Sequence, residues 1–169
     1  MLNTLRKTIV TNTSPLIAIV AATGDLTLLK NLQLQTIVPC EVAQEIRCGG
    51  GDRLGTQAFN QATWLEIQSE PINIAPYLLN TLDRGEASVI QTALNRQIET
   101  VCIDEKVGRR VARLSQLQLT GSIGLLLKVK ENGQLDSIAN AIQRMQQSGI
   151  RLSERVIHFA MVRSGEMQQ

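Results

Sequence analysis

The chain has 169 residues, 43% of them apolar and only 2% aromatic, with a formal net charge of +2. That length suits one domain, and the apolar share is enough for a sizeable core built from Leu, Ile, Val and Ala rather than from rings. A charge so near balance excludes a global field that would drive the chain onto nucleic acid or membranes, so any nucleic-acid contact needs a local basic patch.

At the start, Arg6 and Lys7 precede an apolar stretch that ends at Ala22 and loosely imitates a signal peptide. Thr11-Asn12-Thr13-Ser14-Pro15 interrupts that stretch, which therefore reads as a strand, a turn and a helix. No segment approaches the roughly 18 apolar residues that a membrane span needs, and a cytoplasmic location is the expectation. Cys40, Cys48 and Cys102 match no zinc or redox spacing and read as buried, reduced thiols.

Short β-branched runs then alternate with helical patterns. Strands are expected at Thr8–Thr11, Gln35–Val38, Trp64–Ile67, Thr100–Ile103 and Gln118–Gly121, several apolar at consecutive positions as strands covered on both faces are. Helices are expected at Leu26–Leu32, Glu41–Cys48, Arg84–Asn95, Glu105–Leu117, Ile123–Glu131, Leu135–Gln147 and Ser153–Ser164. Arg84–Asn95 carries Ala87, Ile90, Ala93 and Leu94 on one side, and Glu105–Leu117 carries Val107, Val111, Leu114 and Leu117. Gly49-Gly50-Gly51 reads as a loop inside the domain. This alternation predicts a parallel sheet wrapped by helices in one domain over residues 1–169, with a core of about 8–131 and C-terminal helices of about 134–166 packed on it.

In such a sheet ligands bind beyond the carboxyl ends of the strands, where the strand order reverses. The first strand ends in Asn12-Thr13-Ser14 and the fourth in Asp104-Glu105. Glu86 opens the helix before the fourth strand, and Glu41 and Glu45 lie on the helix after the second. If strands one and four are neighbours, these groups converge. Carboxylates meeting in one cleft repel unless a cation neutralises them, and Mg²⁺ or Mn²⁺ suits an all-oxygen site that activates water for phosphodiester cleavage. The single histidine, His158, argues against a His-based metal site or a Ser-His-Asp arrangement. Structural readings stay open: Asp83 and Glu86 fit a capping pair, Asp104 fits an N-cap, Glu41 and Glu45 fit a solvated face, and Asn12 to Pro15 fits a plain helix start.

The order of five segments resembles the PIN-domain superfamily, in particular a branch near the VapC-type toxin ribonucleases. They are Ile9-Val10-Thr11-Asn12-Thr13-Ser14-Pro15-Leu16-Ile17, Val38-Pro39-Cys40-Glu41-Val42-Ala43-Gln44-Glu45-Ile46, Leu82-Asp83-Arg84-Gly85-Glu86-Ala87, Cys102-Ile103-Asp104-Glu105-Lys106-Val107-Gly108-Arg109-Arg110 and Leu119-Thr120-Gly121-Ser122-Ile123-Gly124. The resemblance implies an α/β, three-layer α/β/α fold with a five-stranded parallel sheet and a helical C-terminal extension. It implies an acidic pocket for Mg²⁺ or Mn²⁺ and cleavage of RNA. By position the metal-binding and catalytic set is Asn12, Glu45, Glu86 and Asp104, with Thr13, Ser14 and Glu105 auxiliary. Thr120 and Ser122 stand where many such nucleases place another carboxylate.

The departure is Asn12, where the family usually has aspartate: the amide keeps a carbonyl oxygen but loses the charge. On the next helix Lys106, Arg109, Arg110 and Arg113 share one face, suited to a phosphate backbone or to solvent and local acids. The scarcity of aromatics argues against recognition by base stacking. The expected function is a metal-dependent endoribonuclease, the toxin of a toxin–antitoxin pair, attenuated by Asn12. A small antitoxin protein and a second copy of the chain are the expected partners. The alternative is a catalytically impaired module that binds RNA or protein. A nucleotide-binding module lacks support, since neither GxGxxG nor GxxxxGK[ST] occurs.

Overall fold

The computed structural model describes residues 6–49 and 53–168, so Gly50 and Gly51 of the expected glycine loop lie outside the described residues. The strands are β1 (Thr8–Thr11), β2 (Gln35–Val38), β3 (Glu66–Ile67), β4 (Thr100–Cys102) and β5 (Gln118–Thr120). The helices are α1 (Thr13–Thr23), α2 (Thr27–Asn31), α3 (Cys40–Cys48), α4 (Arg53–Gln61), α5 (Pro76–Leu79), α6 (Arg84–Arg96), α7 (Lys106–Leu114), α8 (Ser122–Glu131), α9 (Ile138–Gln147) and α10 (Glu154–Arg163).

The five strands are all parallel, in the order β3-β2-β1-β4-β5. Ile9, Val10 and Thr11 of β1, Ile37 and Val38 of β2, and all of β4 are buried, as consecutive apolar and threonine positions require of strands covered on both faces. The chain runs outward from β1 through β2 to β3, then returns to the other side of β1 for β4 and β5. The order therefore reverses between β1 and β4, and that is where a ligand cleft opens. Register sharpens the point. Thr11 pairs with Cys102, and the Asn12 N–H donates to the Cys102 carbonyl at 3.0 Å, so the two strands finish side by side.

Helix α1 starts directly after β1 and stops at Gly24, whose φ of +94° lets its N–H close on the Val20 carbonyl. The C-terminal extension joins the main core: Ile138, Ala141, Ile142 and Met145 of α9 are buried, and the Arg144 guanidinium donates to the Ala22 carbonyl at the end of α1. Glu166 accepts from Ser137 Oγ and from the Ile138 and Ala139 N–H groups, which ties the chain's last turn to the N-terminus of α9. No helix among the described residues is long and apolar enough to cross a membrane.

Several expectations need correction. Trp64 is exposed and lies outside β3, where the Lys30 ammonium sits 5.6 Å from its ring centre. Helices α4 and α5 fall where no element was expected, and α4 supplies Phe59, one of the most deeply buried side chains. The apolar side assigned to the helix after β4 holds for Val111 and Leu117, which pack against the core, and fails for Val107 and Leu114. Val107 is 51% and Leu114 75% exposed, while Gly108 and Ala112 are buried. Helix α7 turns its small residues inward because Gly108 lies against the Glu86 carboxylate and Ile103, where no longer side chain fits. Leu94, grouped with the inner side of α6, is also exposed, because α6 buries Ala87, Ile90 and Ala93 instead. Of the cysteines, Cys40 and Cys102 are buried and Cys48 is exposed, and all three are free thiols.

Candidate metal and nucleic-acid site

Asn12 is the N-cap of α1 by position, with extended backbone, yet its side chain makes no capping bond. The residue is 3% exposed at the carboxyl end of β1, where Nδ2 donates to Glu105 Oε2 at 3.4 Å and Oδ1 has no hydrogen-bond partner among the described residues. The two hydroxyls that follow hold acids in place. Thr13 Oγ1 donates to Glu45 Oε2 at 2.8 Å, and Ser14 Oγ donates to Glu105 Oε1. An asparagine, a threonine and a serine at one helix start thus reach carboxylates from two other parts of the chain.

Asp83 is a cap in fact: its Oδ1 accepts from the Glu86 N–H at 2.8 Å. Glu86 returns the bond as a capping box does, its carboxylate accepting from the Asp83 N–H. It is buried at 6% exposure, and its Oε1 lacks a partner among the described residues. Burial, then the charges of Asp83, Glu105 and Glu45, push its carboxyl up to about 7. Two glycines make the room. A Cβ on Gly85 would stand 2.7 Å from Glu45 Oε2 and 3.3 Å from Asn12 Oδ1, and one on Gly108 would stand 2.6 Å from Glu86 Oε1.

The structure therefore brings Asn12, Glu45, Glu86 and Glu105 together, with Thr13 and Ser14 orienting two of the acids. Asp104, assigned to this set from sequence, lines the adjoining cleft beside Glu105. Its Oδ1 accepts from the Ser122 N–H at 2.8 Å, at the start of α8, beside Arg109. Burial raises the Asp104 carboxyl, and the Ser122 bonds oppose the rise. Glu105, an auxiliary in the sequence reading, takes the place beside Asn12. Both residues lie in the turn after β4, where Glu105 is the N-cap of α7 without a capping bond and its carboxylate is free to meet Asn12 and Ser14. Ser122 is buried under Asp104, and Thr120 lines the cleft described next. Glu41 is buried rather than solvated, and its Oε1 accepts from the Ile72 N–H, pinning the loop after β3.

A cleft of about 1020 Å³ adjoins the acids and shares Thr13, Ser14 and Glu105 with them. Lys106, Arg109 and Arg113 of α7 line it, whereas Arg110 does not. Arg109 is partly committed to the fold: its guanidinium donates to the Ile103 carbonyl at 2.7 Å and to the Thr120 carbonyl at 3.3 Å, clamping β4 to β5. The opposite wall comes from the segment before α10 and from α10 itself, including Arg151, Val156 and Phe159. Sequence reasoning missed this wall, since nothing local links residues 150–159 to residue 105.

Among the described residues no group of three or more His, Cys, Asp and Glu side chains stands ready to hold a metal ion alone. The donor chemistry nonetheless fits a hard cation. Two buried oxygens without partners, on Asn12 and Glu86, face a cluster of carboxylates with no nitrogen or sulfur ligand among them. Mg²⁺ commonly takes one or two protein oxygens and completes its shell with water and substrate phosphate, and this arrangement suits that mode.

A family model described as a PIN domain (DUF3368) matches residues 8–166. Comparison with curated proteins finds no match.

Proposed function

The chain belongs to the PIN domain family, whose members are typically nucleases that use divalent metals, and from that premise we propose that it is a Mg²⁺- or Mn²⁺-dependent endoribonuclease weakened by Asn12. The observation that carries this reading is the pair of buried oxygens without partners, Asn12 Oδ1 and Glu86 Oε1, among the acids at the switch point of the sheet. A buried polar oxygen without a partner costs about 1–3 kcal/mol, and a cation is the partner that several converging carboxylates call for.

When bound, such a cation polarises the phosphate and lowers the pKa of an attacking water. Asn12 and Glu86 are the residues that would hold it, with Glu45 and Glu105 supplying negative charge from the sides. Thr13 and Ser14 keep those two acids oriented. Lys106 and Arg113 receive the backbone in the adjoining cleft. Hydrolysis adds the water oxygen to phosphorus and breaks one P–O ester bond, the water giving up a proton and the departing sugar oxygen taking one.

A second reading has its own observation. Asn12 donates to Glu105, which an ionised aspartate cannot do, and the cluster carries one negative charge fewer than it would with aspartate there. This favours a chain that binds RNA or a protein and cuts slowly or not at all. Calorimetric Mn²⁺ titration in parallel with cleavage of a mixed RNA pool separates the two. Cleavage that rises with Mn²⁺ and vanishes in Glu86→Gln supports the nuclease, and absence of both metal binding and cleavage supports the binding module. The toxin role, a small antitoxin partner, pairing with a second copy and a cytoplasmic location belong to the same proposal. Growth arrest on expression, relieved by a small co-expressed neighbour protein, is its test.

A further inference from the structure

The wall of the cleft contributed by α10 has a composition that the acid cluster does not explain. The chain has two phenylalanines, one tyrosine and one tryptophan. Phe59 is buried, whereas Phe159 is 57% exposed and lines both the large cleft and a smaller cavity of about 330 Å³ next to it. Val156, three residues earlier on the same helix face, is exposed beside it. Lys106 and Arg113 line the cleft together with Arg151, and none of these three cations is in an ion pair among the described residues. The carboxylates of the cleft, Asp104 and Glu105, both belong to the segment after β4.

A planar apolar ring and three unpaired cations in one trough match a particular ligand chemistry. Single-stranded nucleic acid offers a phosphate to each cation and an unstacked base to the ring, and stacking on an aromatic side chain does not depend on which base is offered. Continuity fixes the direction, since the trough and the acid cluster have Thr13, Ser14 and Glu105 in common. We propose that α10 and the residues before it form a nucleotide subsite, in which single-stranded RNA passing the acid cluster places a base on Phe159 and phosphates on Arg151 and Arg113. The identity of the strand as RNA rests on the nuclease reading above, but the subsite itself needs no cleavage.

The test is fluorescence anisotropy with a labelled eight-nucleotide single-stranded RNA, in EDTA and low salt so that nothing is cut. Phe159→Ala should weaken binding about tenfold or more, and Phe159→Tyr should retain it. Arg151→Gln should flatten the slope of log affinity against log salt by about 0.7, the loss of one phosphate contact. Both side chains are exposed, so unchanged melting curves are expected. Those results support the subsite whether or not the native protein cuts RNA, so a failed cleavage assay sinks only the nuclease reading. A strand that binds the native protein and all three variants alike overturns the subsite. So does a native protein that ignores the strand but takes an acidic amphipathic peptide in a manner sensitive to Phe159→Ala, which assigns the trough to a protein partner.

Discussion

Replacing Asn12 with aspartate tests the metal site most directly. The Asn12 amide donates to Glu105 at 3.4 Å and is almost wholly buried. Asn12→Asp removes that bond and sets a carboxylate against another carboxylate. Two unit charges about 4 Å apart repel by roughly 4 kcal/mol at an effective dielectric of 20, and proton uptake by the cluster caps the cost well below that. A metal-free destabilisation of about 1–3 kcal/mol follows, or roughly 3–10 °C in Tm for a domain of this size. With metal present the sign reverses. The new charge adds a charge-assisted ligand contact of about 1.5–3 kcal/mol, hence roughly ten- to a hundredfold tighter Mn²⁺ binding and faster RNA cleavage. Differential scanning fluorimetry in EDTA and in Mn²⁺, calorimetry and an RNA cleavage assay read all of this. In the Asn12→Asp background Glu105→Gln should cancel the gain in metal affinity, whereas Asp104→Asn, beside the start of α8, should leave most of it. Equal Mn²⁺ affinity and equal melting in EDTA for the native chain and Asn12→Asp would refute the assignment of residue 12 as a ligand.

Three further outcomes follow from particular contacts. Gly108→Ala should reduce Mn²⁺ affinity at least tenfold, because its Cβ would lie 2.6 Å from Glu86 Oε1 and 2.9 Å from Ile103 Cγ2, and both neighbours are buried; calorimetry checks it, and unaltered binding would show that Glu86 is no ligand. The Glu86 carboxyl is raised to about 7, so the folded metal-free protein holds its proton more tightly than the unfolded chain. Its contribution to stability is fully present below the unfolded value near 4.5 and is lost as pH rises through about 7. Urea titrations in EDTA should therefore show Glu86→Gln flattening that decline, and an unchanged pH profile would contradict the burial argument. Glu166→Ala should cost about 1–2 kcal/mol, since three donors at the start of α9 lose their acceptor. The Glu166 carboxyl is held below its ordinary value by those bonds and Lys130, against the effect of burial, so the stabilisation is present above the unfolded pKa and disappears as pH falls through the folded one. A denaturation midpoint indifferent to Glu166→Ala at neutral pH would rule the tie out.

How much of this was readable in the residues depends on how local each cause is. Strands β1, β2, β4 and β5 declare themselves through β-branched runs, because the strand conformation is set by neighbours along the chain. Helix α4 does not, since its inward face rests on Phe59 packing into a core assembled from distant segments. Helix α7 was readable as a helix, but its orientation was not. The periodicity of Val107, Val111, Leu114 and Leu117 suggested one apolar inner side, yet close approach to Glu86 and Ile103 required the small side of Gly108 and Ala112, which leaves Val107 and Leu114 exposed and Val111 and Leu117 at the edge of the core.

The site divides along the same line. Asn12, Glu45 and Glu86 were legible as candidates, because residue type and a position after a strand or on a flanking helix follow from the sequence alone. So was the parallel sheet, because alternating strands and helices permit few other arrangements. Whether Asp104 or Glu105 faces Asn12 was decided only by the course of the backbone after β4, and that Glu86 keeps one oxygen free of the capping pair only by the geometry at the start of α6. Tertiary structure alone brought Phe159 and Arg151 to a cleft shared with Glu105, because chain segments so far apart meet through packing and not through any pattern that neighbouring residues can record.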